Sequence, residues 1–162
     1  MSLPKMGIDN CRPMMIIPPM CRCSIREAET TDAASIASLV TQLGYPSTPR
    51  DMAGRLRILL SLPEYRIFVA EAGGEIVGLV GAYMGYSLEF SGMYGRLTAL
   101  IVDENHRGAG IGRRLIARIE DWIKDQGGLL AVVTSSNHRA DSHRFYENNG
   151  YLNTGVRFTK KL

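Results

Sequence analysis

At 162 residues the chain has room for one domain with a single sizeable core, and 45% hydrophobic with 22% charged residues is an ordinary globular balance that excludes disorder and fibrous architectures. Nineteen basic against sixteen acidic residues leave a formal charge of +3, too small a surplus to indicate nucleic acid without a local basic face. No run approaches the roughly 18 apolar residues of a membrane span, and "PMMIIPPM" lacks the clean apolar centre and cleavage site of a signal peptide, so the expected location is the cytoplasm, with no membrane partner.

Residues 1–21 hold four of the seven prolines and no periodic apolar pattern, and read as a loosely ordered leader. Residues 22–162 form a single domain. Cys11, Cys21 and Cys23 are odd in number and lack the spacing and histidine partners of a zinc site, so they read as thiols. "CRCSIREAE" is an opening strand, followed by Thr30, Thr31 and Asp32 as capping residues and a helix carrying Ile36, Leu39, Val40 and Leu43. "STPRDMAGRLRILLSL" starts a second helix. "YRIFVAEAGGEIVGLVGAYM" is two strands joined at Gly73 and Gly74, and "MYGRLTALIV" is a third.

Past that strand, Ile111, Leu115, Ile116, Ile119, Trp122 and Ile123 recur at helical spacing, and the helix ends by Gly127 and Gly128. "LLAVVT" is a strand, "RADSHRFYENN" a shorter helix closed by Gly150, and "YLNTGVRFTKKL" a last strand or strand pair. The order βααβββαβαβ predicts an α/β (α+β) domain whose mixed sheet packs between helices.

The segment "VDENHRGAGIGRRL" runs from a strand through a glycine-rich turn into a helix. Such a junction can hold an anion, because unpaired N–H groups at a helix start point outward with the positive end of the helix dipole behind them. Neither Gly-x-x-x-x-Gly-Lys-Ser/Thr nor Gly-x-Gly-x-x-Gly fits. What does fit is Arg107-x-x-Gly110-x-Gly112. Together with "HRFYENNGY" downstream, this segment resembles the GNAT superfamily of N-acetyltransferases over about residues 22–162, most strongly over 97–151.

The resemblance implies a mostly antiparallel central sheet with about four helices, and acetyl-coenzyme A as co-substrate without a metal. Its pyrophosphate would lie on the turn formed by Arg107, Gly108, Ala109, Gly110, Ile111, Gly112 and Arg113, with Arg114 a further candidate nearby. The pantetheine arm would run along the backbone of Leu100, Ile101 and Val102. Tyr146 occupies the position of a general acid that protonates the departing thiolate, and a phenol with a pKa of about 10 holds its proton at neutral pH. Phe145 and Tyr151 read as packing residues.

Two departures stand out. Where many relatives carry a cofactor-contacting asparagine this chain has Arg139, with Asn137 two residues earlier, and either could serve. The central strand lacks the glutamate that often takes the amine's proton; Glu89, Glu104, Tyr83, Tyr86 or a water chain stay open as the base. The C-terminal segment is similar to that of the aminoalkylphosphonate acetyltransferases, which carry glutamates where this chain has Arg96 and Ala99, so their substrate is not carried over. Arg96 could instead meet an acidic group on an acceptor.

The function expected is acetyl transfer to a primary amine, a small molecule being favoured over a protein. A non-catalytic acetyl-coenzyme A sensor or assembly module is the alternative, motivated by the absent carboxylate. A homodimer is expected from family analogy alone.

Overall fold

The computed structural model describes residues 23–135, 140–156 and 158–161. The leader, Cys11, Cys21, Asn137 and Arg139 therefore lie outside the described residues. Strand β1 spans Cys23–Glu27, helices α1 and α2 span Ala33–Gln42 and Pro49–Leu59, and strands β2, β3 and β4 span Tyr65–Ala72, Glu75–Tyr86 and Met93–Val102. Helix α3 (Ile111–Asp125), strand β5 (Gly128–Val133) and helix α4 (Ala140–Asn148) follow. Single 3-10 turns at Thr30–Asp32 and Glu104–His106 precede α1 and follow β4.

The sheet order is β1-β2-β3-β4-β5, with β1 to β4 successively antiparallel and β5 parallel to β4. Only the last neighbour is reached by a crossover, through α3, as a parallel pair requires. Each face of the sheet has its own apolar cluster. Ile36, Leu39, Met52 and Leu56 of α1 and α2 pack on Val69, Leu79 and Ile101. On the opposite face, Leu115, Ile116, Ile119, Trp122 and Ile123 of α3 pack on Phe68, Val80 and Leu97. The alternation of strand side chains thus supplies two cores from one set of strands.

Local chemistry closes each corner. Thr48 accepts the Asp51 amide ahead of Pro49 at the start of α2. Gly73 and Gly74 take φ of +61° and +85° in the β2–β3 turn, a conformation glycine adopts without strain. After Gly150 the described residues carry no strand where the sequence pattern placed one, and Leu152, Val156 and Phe158 are exposed. An apolar pattern becomes a strand only when an edge pairs with it, and no such pairing forms among the described residues.

The link from β1 to α1 rests on Asp32, the one buried charged residue among those described, at 8% exposure. Arg26 donates to both of its carboxylate oxygens, at 2.8 and 2.9 Å, and the Glu29 amide donates at 2.8 Å. Glu71 braces the same guanidinium at 3.0 Å. The hydrogen bonds from Arg26 hold the Asp32 carboxyl below the usual carboxylate range, against burial, which acts the other way.

Asp32→Asn is expected to lower the unfolding free energy at pH 7 by about 1–3 kcal/mol in urea titrations. A carboxyl depressed in the folded state contributes fully above its unfolded pKa of about 3.9 and loses that contribution as pH falls through the lower folded value. The two stability curves should therefore converge in acid; a gap that stays constant to pH 2 contradicts this account.

Candidate active site

Strand β4 is bordered differently along its two edges. Its ladder with β3 runs to Val102, opposite Gly78, whereas its ladder with β5 stops at Leu97, opposite Val133. Between Gly81 and Ala82 the β3 register skips from Ala99 to Leu97, which leaves Thr98 as an extra residue on β4. This is a β-bulge, and it bends the strand where its second partner is lost. The Asp103 amide bonds to the Val77 carbonyl, so by alternation Ile101 turns its polar groups to β3. Leu100 and Val102 turn theirs to the open edge. Of the three positions expected to offer backbone to a cofactor arm, Ile101 is thus spent on the sheet, and its side chain is buried.

A cavity of about 310 Å³ opens where β4 and β5 separate. Arg96, Thr98, Leu100, Thr134, Ser142 and Tyr146 are among its lining residues, with Leu43 and Tyr45 after α1 forming another side. Tyr146 reaches it from α4. Its ring makes edge contacts with Phe145 and Tyr151, at centroid distances of 5.5 and 5.4 Å. Tyr151 donates to Glu120 at 2.8 Å, and burial with that carboxylate raises its pKa strongly. The hydroxyl of Tyr151 is thus anchored to α3, while Phe145 packs against Gly112, where a Cβ would stand 3.3 Å from its ring.

At the other end of the open edge lies the glycine-rich turn. Gly108 and Gly110 take φ of +80° and +76°, with open space where a Cβ would be. Gly110 caps α3 without a side chain, and the first backbone bond of that helix is the Arg114 amide to the Gly110 carbonyl. No described residue accepts the amides of Gly108 to Arg113. These are the donors an anion at a helix start would use.

The three glycines therefore have two different roles. Gly108 and Gly110 shape the turn, and Gly112 lets α4 approach. Ile111 is buried, so only its amide faces the turn, while Ala109 and Arg113 are exposed. Arg107 donates Nε to the Val102 carbonyl at 3.1 Å, tying the turn to the strand end. Arg114 is directed elsewhere, donating to the Cys23 carbonyl at 2.7 Å.

Asp103 fixes the approach to the turn. It accepts from Gln42 Nε2 at 2.9 Å and from the Asn105 amide at 3.0 Å, with His106 Nδ1 at 3.1 Å. These bonds, that from Gln42 foremost, push its carboxyl down to about 2. Sequence reasoning missed this brace, the bulge at Thr98 and the hydroxyls of Tyr45, Thr134 and Ser142, all of which depend on contacts between distant segments. Glu89, Glu104 and Tyr86 are exposed and do not line the cavity, and Tyr83 stacks on Tyr65. Tyr65 pairs with the Thr98 hydroxyl, and burial raises its pKa, which disfavours it as a base.

Residues 32–151 match the model of the Acetyltransferase (GNAT) family. The chain is 30% identical to the aminoalkylphosphonate N-acetyltransferase of Salmonella typhimurium over 145 residues, covering 86% of this chain and 92% of that one. A GNAT family acetyltransferase structure from Staphylococcus aureus superimposes with a TM-score of 0.75 at 26% identity, over 86% of this chain and 98% of that one. The aminoglycoside N-acetyltransferase AAC(6')-Iy, solved in complex with CoA, gives 0.79 at 21% identity over 90% and 99%, a likeness of fold.

Gly110→Ala is expected to cost about 1–2 kcal/mol, the penalty of a left-handed residue with a Cβ. Gly54→Ala, in α2 at ordinary φ with open space around it, should instead stabilise by up to about 1 kcal/mol. Chemical denaturation of both variants checks the pair, and equal shifts would contradict the assignment.

Proposed function

The chain belongs to the GNAT family of acetyltransferases, and on that premise we propose that it passes an acetyl group from acetyl-coenzyme A to the primary amine of a small molecule by direct attack, with Tyr146 as general acid. Membership makes the chain an acetyl-coenzyme A-dependent N-acetyltransferase and outweighs the absent carboxylate that motivated the non-catalytic sensor. What carries the finer reading is one continuous feature: the edge of β4 beyond Leu97, which pairs with no described strand, runs from turn amides that no described residue accepts into a cavity bordered by Tyr146.

The turn amides from Gly108 to Arg113 suit a pyrophosphate, with the α3 dipole adding to the attraction. The outward-facing N–H and C=O of Leu100 and the N–H of Val102, whose carbonyl Arg107 holds, suit the amides of the pantetheine arm, which extends like a strand beside β4. That course brings the thioester to the bulge at Thr98. There a backbone N–H on the unpaired edge can stabilise the oxyanion that forms when the amine attacks the carbonyl. The carbon–nitrogen bond forms, the carbon–sulfur bond breaks, Tyr146 gives its proton to the departing sulfur, and the proton that the nitrogen sheds on becoming an amide restores the phenol through solvent.

The attacking amine must be neutral, and a free amine with a pKa near 10 must first lose a proton. No carboxylate stands among the described lining residues, so water is the group left to take it there. A cavity of about 310 Å³ sits at the small end of ligand sites and favours a compact acceptor over a folded protein surface. The Salmonella relative, named for a small amine substrate class, points the same way.

Tyr146→Phe should reduce kcat by about 10²–10³-fold while the dissociation constant for coenzyme A changes less than about threefold. Thiol release under saturating acetyl-coenzyme A, with calorimetry for binding, gives both numbers. Unchanged kcat removes Tyr146 from the proton transfer.

A further inference from the structure

Among the described residues lining the cavity, Arg96 carries the only charge. It is partly buried on β4, opposite Tyr83 on one side and Val132 on the other, just before the bulge. The buried neighbours Gly95 and Leu97 face α3, so Arg96 rises from the opposite face, the side on which Leu43 and Tyr45 stand.

Other arginines of this protein meet carboxylates: Arg26 with Asp32 and Glu71, Arg66 with Glu27, Arg144 with Asp141. Arg96 has no such partner among the described residues. Among the described residues, its guanidinium donates from Nη2 to the Thr134 hydroxyl at 3.2 Å. A guanidinium at the rim of a cavity, with no described carboxylate to occupy it, keeps N–H donors available to an acidic ligand. Thr134, accepting from Arg96, has its own proton left to donate, so the two present donors side by side.

Resting on the reading of this cavity as the acceptor site, we infer that the acceptor amine also carries an acidic oxygen group, a carboxylate or a phosphonate, seated on Arg96 and Thr134. Arg96 lies two residues, roughly 7 Å, along the strand from Thr98. With the acid held there and the amine at the bulge, the two groups are separated by a short chain. A guanidinium can grip two oxygens of such a group at once, which fixes the amine's direction of approach as well as its charge. The same charge repels polycationic acceptors such as aminoglycosides.

The test is thiol release by the full chain and by Arg96→Gln with amines of equal chain length bearing a carboxylate, a phosphonate or a hydroxyl, and with an aminoglycoside. In the unaltered protein kcat/KM should be about tenfold or more higher for an acid-bearing amine than for the amino alcohol, and Arg96→Gln should shrink that ratio by about tenfold or more, chiefly through KM. The carboxylate and phosphonate arms decide between the two acids. Arg96→Lys, which keeps the charge without the fork, should restore part of the ratio, and coenzyme A binding by calorimetry checks that each variant is folded. Preference for the neutral or polycationic amine, or an equal fall across all amines in Arg96→Gln, overturns the inference and leaves the transferase reading standing. No thiol release with any amine, from protein that binds coenzyme A, overturns the acceptor-site reading and this inference with it.

Discussion

At Leu97 the ladder between β4 and β5 ends while the ladder between β4 and β3 continues to Val102, and the groups of the candidate site are arranged around that divergence. A strand in mid-sheet normally has both edges satisfied, because an unpaired buried amide or carbonyl costs as much as a lost hydrogen bond. Here no described strand pairs with one edge beyond Leu97. The cost is tolerable because the bulge at Thr98 already breaks the regular repeat, and because the cavity keeps that edge accessible. The opening then has a donor-rich turn at one end and a tyrosine at the other.

Glycine lets the helices pack closely around this divergence at several points. Cβ atoms at Gly95 and Gly128 would come within 2.3 and 2.5 Å of Ile123, so α3 lies close against both strands where they are still paired. Further along, Phe145 of α4 rests on Gly112 at the start of α3. The helix that carries Tyr146 is therefore referenced to the same helix that begins at the glycine-rich turn. Tyr151, bonded to Glu120, adds a second tie between the end of α4 and α3. The proposed phosphate seat and the proposed proton donor are in this way both tied to α3, as reactive geometry requires.

Charge is distributed to match. Arg107 and Arg114 spend guanidinium donors on the backbone of β4 and β1, stabilising the frame, while Asp103 fixes the loop before the turn through Gln42. Arg96 alone among the described lining residues brings charge to the cavity. In the proposed site, donor recognition rests largely on backbone N–H groups, which any sequence can supply in the right conformation. The proposed acceptor side of the cavity is instead built of side chains brought together from β4, the segment after β5 and the segment after α1.

The sequence by itself determined the order of elements from β1 to α4, the two-glycine hairpin and the amphipathic face of α3, because local patterning records which side of each element is buried. It also marked the glycine turn, since a positive φ at Gly108 and Gly110 is a demand on the residue itself. It did not reveal that Gly112 serves α4, that Arg114 serves β1, or that the last apolar segment finds no ladder among the described residues, since each depends on what another part of the chain does. The bulge at Thr98, the early end of the β4–β5 pairing and the convergence of Tyr45, Arg96, Thr134 and Tyr146 on one cavity were decided by tertiary structure alone. The physical reason is that strand register and side-chain convergence are properties of pairs of segments, and a single segment's periodicity carries no record of its partner.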